Sequence, residues 1–210
     1  MGKINLVRFF IIISVMFGLA LTTTVPSGAT QGKTLDDLMA AHNGESNAHA
    51  KYLAYAEKAD EEGYNKVASL FRAAASAEKI HLTSHARVIE KMGGTPQADI
   101  KLPPIQSTSA NLEDAIKGES YERDTMYPEF ISTAKLENNP DAIRTFTYAL
   151  SAEGEHARLY KNALDNLAAW KTAKADFYVC PTCGYTMEMK PSFSACPVCS
   201  TPATLYQAVN

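Results

Sequence analysis

The sequence predicts an all-α bundle of four helices, followed by a small metal-binding module at its C-terminal end. Three observations carry that expectation. First, Ser76-Ala77-Glu78-Lys79-Ile80-His81 returns in the second half as Ser151-Ala152-Glu153-Gly154-Glu155-His156. Upstream stands a second matched pair, Gly44-Glu45-Ser46 and Gly118-Glu119-Ser120, 33 and 34 residues before Glu78 and Glu153, and Phe71 and Phe146 each precede their Glu by seven. Such self-similarity marks a duplicated helix pair. Second, the stretch from Thr95 to Ser109, with Pro96, Pro103 and Pro104 and no period, separates the two pairs. Third, all four cysteines fall in two C-x-x-C units near the end of the chain.

The 210 residues are 46% hydrophobic and 20% charged, which suits one globular domain plus a small appendage. The net charge of −3 becomes −5 without residues 1–29, whose only charges are Lys3 and Arg8. No basic run occurs elsewhere, so nucleic acid is not expected as a partner. Lys3 and Arg8 precede the apolar run from Phe9 to Leu21, and Thr22-Thr23-Thr24 and then Ser27-Gly28-Ala29 follow. Positive, apolar, small is the order of a secretory signal peptide cleaved near Ala29. The alternative is an uncleaved membrane anchor, although Phe9 to Val25 is only 17 residues, the short limit for a span. Either reading puts the body outside the cytoplasm. No Arg-Arg pair precedes the run, so export unfolded, with metal acquired afterwards, is expected. The segments are thus a signal peptide at 1–29, a helical domain at 30–171 and a cysteine module at 176–210.

The first helix starts at Thr34, carries Leu35, Leu38, Met39, Ala48, Leu53, Ala54 and Ala56, and stops at Glu62-Gly63, where Gly suits a left-handed cap. The second runs from Asn65 through Val67, Leu70, Phe71, Ala74, Ala77 and Ile80 to Ile89 at helical spacing, ending at Gly93-Gly94. The third starts near Asn111 as N-cap and runs to Glu137, where Asn138-Asn139-Pro140 breaks it. The fourth has Pro140 in its first turn and continues to about Trp170. Short turns within each pair and one long crossover between them describe the ferritin-like bundle.

Residues three apart share a helix face, so each Glu-x-x-His offers a carboxylate and an imidazole to one point. Di-iron carboxylate bundles take one Glu from each of two helices and Glu-x-x-His from each of the other two. Here those are Glu45, Glu119, Glu78 with His81, and Glu153 with His156. The bland alternative, solvated surface charges, does not explain why these carboxylates recur beside Ala77, Ala152 and aromatics on the apolar side.

Glu122 follows Glu119 by three and brings a second carboxylate to the same face. Gly118-Glu119-Ser120-Tyr121-Glu122 followed by Met126-Tyr127-Pro128-Glu129-Phe130 resembles the rubrerythrin family, and the similarity runs from about residue 34 to the end of the chain. The resemblance implies two irons held by Glu45, Glu78, Glu119, Glu122, Glu153 and His156, with Glu78 and Glu153 bridging. It also implies that His81 competes with Glu122 for one iron as the redox state changes, and that Tyr52 and Tyr127 hydrogen-bond carboxylate ligands. Pro128 removes the bond to the carbonyl of Asp124 and is expected to kink or bulge the third helix one turn after Glu122. His42, His49 and His85 lie about one turn from these residues and are expected to border the site or face solvent rather than enter it. Tyr55, Tyr64, Tyr148, Tyr160 and Trp170 read as packing.

Cys180-Pro181-Thr182-Cys183 and Cys196-Pro197-Val198-Cys199, with twelve residues between them, make a tetrahedral thiolate site for zinc or a single iron. Two disulfides are the weaker alternative in an exported chain. Tyr178, Cys183-Gly184-Tyr185 and Cys196-Pro197 resemble rubredoxin, the one-iron carrier that forms the C-terminal module of rubrerythrins, which implies iron. Ser200 departs from that pattern, standing where a second Gly is common. Phe177, Tyr178, Tyr185 and Phe193 shield the sulfurs or form the module's core.

The resemblance as a whole implies a non-haem di-iron peroxidase: hydrogen peroxide reduced to water, electrons relayed through the cysteine iron from an extracytoplasmic donor that the sequence does not identify. The competing readings are a ferroxidase, or an iron-binding or storage protein with a structural zinc ribbon. The tether from Lys171 to Asp176 is short, and a thirty-residue bundle is about 45 Å long. The module is therefore expected to lie far from its own chain's bundle site, in a homodimer or larger assembly, and the resemblance implies head-to-tail pairing in which one subunit's module serves the other's di-iron site.

Overall fold

Lys33–Glu61 forms α1, and Gly63 at φ +78° turns the chain into α2, Asn65–Lys91, which Gly93 at φ +83° ends. These coordinates are a computed structural model, which describes residues 1–2, 32–171 and 173–210; the expected signal peptide or anchor lies outside them. No described helix is long and apolar enough to cross a membrane. After the crossover come α3 (Thr108–Tyr121), a π-helical turn (Glu122–Met126), α4 (Tyr127–Leu136) and α5 (Pro140–Asp165), with a closing 3₁₀ turn at Leu167–Trp170. The third expected helix is thus α3, the π turn and α4 in line, and the architecture is the ferritin-like bundle.

Two boundaries differ from expectation. The third helix is capped by Ser107, whose Oγ accepts from the Ala110 N–H at 3.3 Å, not by Asn111. Glu62 decides this by accepting from both the N–H and the hydroxyl of Thr108, at 2.8 and 2.7 Å, which fixes the first turn one residue past Ser107. Asn111 instead closes the preceding loop by pairing with both backbone groups of Gln106. At the other end, α5 stops at Asp165 and only a 3₁₀ turn reaches Trp170. Asn139 caps α5 by accepting from the Ala142 N–H at 3.0 Å, with Pro140 next to it. Gly32 has no side chain to cap α1, so Glu137 from the end of α4 takes the free N–H groups of Lys33 and Thr34, at 2.9 and 3.0 Å.

The core divides into two apolar clusters. One holds Tyr52, Tyr55, Leu70, Phe71, Leu112 and Tyr160; the other holds Leu35, Leu38, Ile89, Tyr127 and Phe146. Glu45 stands between Ala41 of the second cluster and Ala48 of the first, and Glu153 between Ala149 and Leu159 in the same way. The metal-type residues therefore occupy the seam where the two apolar halves meet, with small alanines letting the helices close around them.

The C-terminal module is a three-stranded antiparallel sheet in the order β2-β1-β3, with β1 Phe177–Val179, β2 Thr186–Met187 and β3 Gln207–Val209. It sits on its own chain's bundle, which corrects the expectation drawn from the tether length. Phe177 faces the bundle, not the sulfurs, and meets Trp170 at 6.2 Å between ring centroids. Lys66 of α2 pairs with Glu188 at 2.5 Å and lies 4.1 Å above the Trp170 ring. The chain doubles back after α5 and lays the module against the flanks of α2 and α5, so the bundle's length does not separate the two parts. Within the one chain the two parts are already in contact.

Candidate metal centres

Seven of the expected side chains come from four helices, and the structure brings six of them into two overlapping sets. Glu45, Glu78, His81 and Glu153 form one; Glu78, Glu119, Glu153 and His156 form the other, with the ligand atoms of each set within 4.8 Å of one another. Glu78 and Glu153 belong to both. All six are buried. Glu122 is the exception: half-buried, it lies beside the sets without joining either.

Within this centre Glu45 Oε2, Glu78 Oε1, Glu119 Oε2, both Glu153 oxygens and His156 Nδ1 are buried without a hydrogen-bond partner. His156 Nδ1 is 2.9 Å from Glu153 and 3.2 Å from Glu78, close but misaligned, so the lone pairs converge on common points rather than on each other. Orphaned carboxylates in a dry core are strongly unfavourable unless cations neutralise them. The four carboxylates of the two sets match the charge of two divalent cations, and mixed carboxylate and imidazole donors suit iron. The residues fit the group that the sequence implies.

The local electrostatics show the same need. Burial, then repulsion from Glu153 and Glu78, pushes the Glu119 carboxyl up to about 8. Glu45 rises by burial and by its neighbours Glu122, Glu153 and Glu78, and Glu122 rises by burial and then by Glu119. Glu78 goes the other way: burial works to raise it, but the imidazoles of His156 and His81 overcome this and hold it at about 2. Burial opposes charging of His81, yet Glu153 and Glu78 lift it to about 10.

A further layer of contacts fixes the orientation of these groups. Tyr52 donates to Glu119 at 2.6 Å, and Tyr127 donates to Glu45. Since Tyr127 gives away its only proton, His85 Nε2, 3.2 Å from that hydroxyl, must carry a hydrogen, and His85 Nδ1 then accepts from Thr145 at 3.1 Å. His42 and His49 bond the backbone carbonyls of Leu82 and Ala75 at 2.9 and 2.7 Å, outside both sets. The π turn matters here. Its Tyr127 N–H reaches back five residues to the Glu122 carbonyl. Five α-helical steps would swing Tyr127 about 140° off the face of Glu122; the wider turn returns it toward the site. Pro128, with no N–H to give, follows directly in α4. The irregularity thus starts at Glu122 itself, not one turn later.

The second centre is formed by Cys180, Cys183, Cys196 and Cys199, all free, with Cys180 and Cys199 sulfurs 3.5 Å apart and Cys183 and Cys196 sulfurs 3.6 Å apart. A tetrahedral site with about 2.3 Å metal–sulfur bonds has edges of about 3.8 Å, so these spacings suit a metal and leave no disulfide. The knuckles are twins: Gly184 N–H bonds Cys180 O and Ser200 N–H bonds Cys196 O, both at 3.0 Å, with φ of +77° and +61°. Ser200 adopts the left-handed shape its Gly-bearing counterpart requires. The Cys183 thiol, together with the N–H groups of Thr182 and Cys183, lowers Cys180 to about 4 against the pull of burial. Tyr148, Tyr185 and Tyr206 cover the sulfurs.

The two centres touch. His81 Nε2 lies 3.0 Å from the carbonyl of Cys183, an acceptor only, so that nitrogen carries the hydrogen and Nδ1 faces the carboxylates. His156 Nε2 lies 3.0 Å from Thr186 Oγ1, which itself donates to Gly184 O at 2.9 Å. The module therefore sets the tautomer of both imidazoles. A Cβ on Gly184 would fall 2.3 Å from His81 Nε2, so only glycine permits the approach.

Comparison with known proteins settles the family: the Rubrerythrin family model matches residues 36–164. The chain belongs to the rubrerythrin family. Nigerythrin of Nitratidesulfovibrio vulgaris is 40% identical over 178 residues, covering 84% of this chain and 87% of its own. Rubrerythrin-2 of Clostridium acetobutylicum is 36% identical, covering 83% and 96%. A solved nigerythrin structure, described as fully reduced and all ferrous, matches with a TM-score of 0.78 at 37% identity over 88% of this chain and 91% of that one. A Desulfovibrio desulfuricans bacterioferritin, with a TM-score of 0.61 at 22% identity, covers 66% of this chain and 82% of its own and shares the fold. In this rubrerythrin-family chain the carboxylate and imidazole sets are the di-iron site and the cysteines a four-sulfur metal site. Thr186, Thr145 and the role of His85 escape a reading of the sequence. Their partners lie 30, 60 and 42 residues away, and nothing local marks them.

Proposed function

We propose that this chain is an exported peroxidase of oxidative stress defence, an oxidoreductase that reduces hydrogen peroxide to water: H2O2 + 2 e− + 2 H+ → 2 H2O. The observation that carries the reading is the hydrogen bond from His81 to Cys183, which joins the two metal clusters through one contact. A ferroxidase, whose iron must leave, or a storage protein with a structural zinc ribbon has no use for that link.

Held by the two sets, a pair of ferrous ions would supply the two electrons, and an iron held by the four cysteines would restore them. The chain's residues do the rest. Glu78 and Glu153, shared by both sets, hold the two positions at a fixed separation. Tyr52 and Tyr127 pin Glu119 and Glu45 by donating to one oxygen each, leaving the other oxygen free. Protons have a continuous hydrogen-bonded line, Thr145 to His85 to Tyr127 to Glu45, which starts at a cavity beside Ser84 and Tyr148. Glu122, which lies beside the sets, would take the place of His81 as the bound charge rises, because more positive charge favours a carboxylate over an imidazole. The proposal includes export, from the N-terminal pattern of Lys3, Arg8 and the apolar run. Electrons then come from an extracytoplasmic carrier, since cytoplasmic nicotinamides are out of reach.

The test is metal analysis with stopped-flow oxidation of the fully ferrous protein. Three irons per chain with visible thiolate absorption are expected, as is oxidation by peroxide much faster than by dioxygen, with that advantage lost in Glu122→Gln and His81→Ala. Equal rates with both oxidants, unchanged by either substitution, would leave ferroxidase as the better answer; two irons and one zinc would point to the structural ribbon.

A further inference from the structure

Gly44 and Gly118 occupy equivalent places in the duplicated pair, each one residue before a carboxylate of the di-iron site. Both lie inside helices, where glycine is the least favourable residue after proline. Two such residues at related positions need a physical reason. Backbone shape is not the reason, because neither has the positive φ that Gly63, Gly93 and Gly184 require. Close packing is not the reason either. A Cβ on Gly44 would meet nothing within 4 Å, and one on Gly118 would meet only Lys51 Nζ at 3.8 Å.

What the two glycines share is empty space. They line one cavity of about 370 Å³ between α1 and α3, whose wall also contains Tyr52 and Glu122. Tyr52 hydrogen-bonds Glu119, so the inner end of the cavity is one contact from the di-iron site. Its outer end is roofed by the crossover, through Lys101 and Pro103. Three hydrogen bonds strap that segment to α1: Asp99 N–H to Asn43 at 2.8 Å, Asn47 to Asp99 O at 2.9 Å, and Lys101 N–H to Asn47 at 2.7 Å. Inside, Lys51 is paired with Asp114 at 2.9 Å, so the lining is polar but balanced in charge.

We propose that this cavity is the passage by which a small, uncharged, hydrogen-bonding oxidant reaches the di-iron site, and that Gly44 and Gly118 exist to keep it open. The balanced polar wall suits a molecule that both donates and accepts hydrogen bonds and disfavours bulky apolar ones. That the oxidant is hydrogen peroxide rests on the peroxidase reading; the passage itself does not.

The experiment uses the metal-loaded full chain and its Gly44→Ala, Gly118→Ala, Gly44→Leu and Gly118→Leu variants. Two readouts are taken on the ferrous protein: the rate of oxidation by hydrogen peroxide, and the rate of nitric oxide binding, which reports access without turnover. Alanine is expected to raise the thermal midpoint, because it suits a helix and meets no atom closer than 3.8 Å, while slowing both rates several-fold. Leucine is expected to slow both at least tenfold, with oxidation of the cysteine iron by ferricyanide unchanged. Asn47→Ala, which frees the crossover strap, is expected to do the opposite and speed oxidation by tert-butyl hydroperoxide several-fold. Full-metal Gly variants that bind nitric oxide at the wild-type rate would overturn the passage, as would an Asn47→Ala variant with unaltered rates. Wild-type protein that binds nitric oxide but resists peroxide would sink the peroxidase reading alone, and the nitric oxide rates would still judge the passage. Should the leucine variants lose metal, the alanine pair decides.

Discussion

His81 and Cys183 belong to different metal clusters, yet the imidazole Nε2–H of one donates to the backbone carbonyl of the other at 3.0 Å, both residues being buried. The contact exists because Gly184, next in the chain, has no side chain to fill the space.

Gly184→Ala is the direct probe of that contact. The new methyl would sit 2.3 Å from His81 Nε2, and φ of +77° is a left-handed shape that costs an L-residue about 1–2 kcal/mol. The expected outcome is at least that loss of stability, with iron retained at both centres but electron transfer from the cysteine iron slowed tenfold or more. Rapid-mixing absorbance at the thiolate bands measures it. Wild-type transfer rates in a destabilised protein would show that the electron does not use this contact.

Thr186→Val keeps the shape of the side chain and removes the hydroxyl that accepts from His156 Nε2. A buried imidazole N–H then has no partner, and the ring loses the group that fixes its tautomer. Outer partners of metal-binding histidines are worth about 10–100-fold in metal affinity. A loss of that size is expected at the di-iron site alone. Competitive chelator titration reads it, and equal loss at the cysteine site would instead indicate general unfolding of the module.

The repeat and the ligand set were legible because helical periodicity is local: Glu78 with His81, and Glu153 with His156, can be aligned by eye without knowing where the helices pack. Gly63, Gly93 and Asn139-Pro140 were legible for the same reason, as each acts on its own turn. What failed was decided at a distance. Asn111 and Ser107 are both good N-caps, and the choice falls to Glu62, 46 residues upstream of Thr108. Pro128 announced an irregularity, but its register depends on the demands of Glu122 and Tyr127 on one site. The docking of the module rests on Phe177, Thr186 and the Cys183 carbonyl meeting other elements. Alternation and motif spacing within a strand of three residues say nothing about such partners.

Ser200 holds φ of +61° at the second cysteine knuckle, where its twin is Gly184, and its side chain is exposed. Ser200→Gly removes the left-handed penalty at some cost in chain entropy, for a net gain of about 0.5–1 kcal/mol. In a protein of this size that is about 1–4 °C in Tm. Calorimetry of the metal-loaded protein checks it. A fall in Tm would mean that the serine makes a compensating bond in solution.

Removing the metals turns the di-iron site into a cluster of buried acids whose protons govern stability. Glu119 lies at about 8 instead of its ordinary 4.5, through burial and the charges of Glu153 and Glu78, so the folded chain holds a proton that the unfolded chain releases between those values. His81 lies at about 10 instead of 6.5, carried there against burial by Glu153 and Glu78, and acts in the same sense over its own range. A raised pKa gives stability that is complete below the unfolded value and lost as pH climbs through the folded one. Glu78, lowered to about 2, has the opposite sign, but its window closes below pH 4.5. Between pH 5 and 9 the metal-free protein is therefore expected to lose stability with rising pH, by about 1.4 kcal/mol per unit for each extra proton held. The loaded protein goes the other way, because metal binds the deprotonated ligands and its affinity rises over the same range. The gap in Tm between reloaded and chelator-stripped protein should widen from pH 5.5 to pH 8.5. A gap that stays constant or narrows would show that Glu119 and His81 do not hold these protons, and with that the geometry of a two-cation site would lose its electrostatic basis.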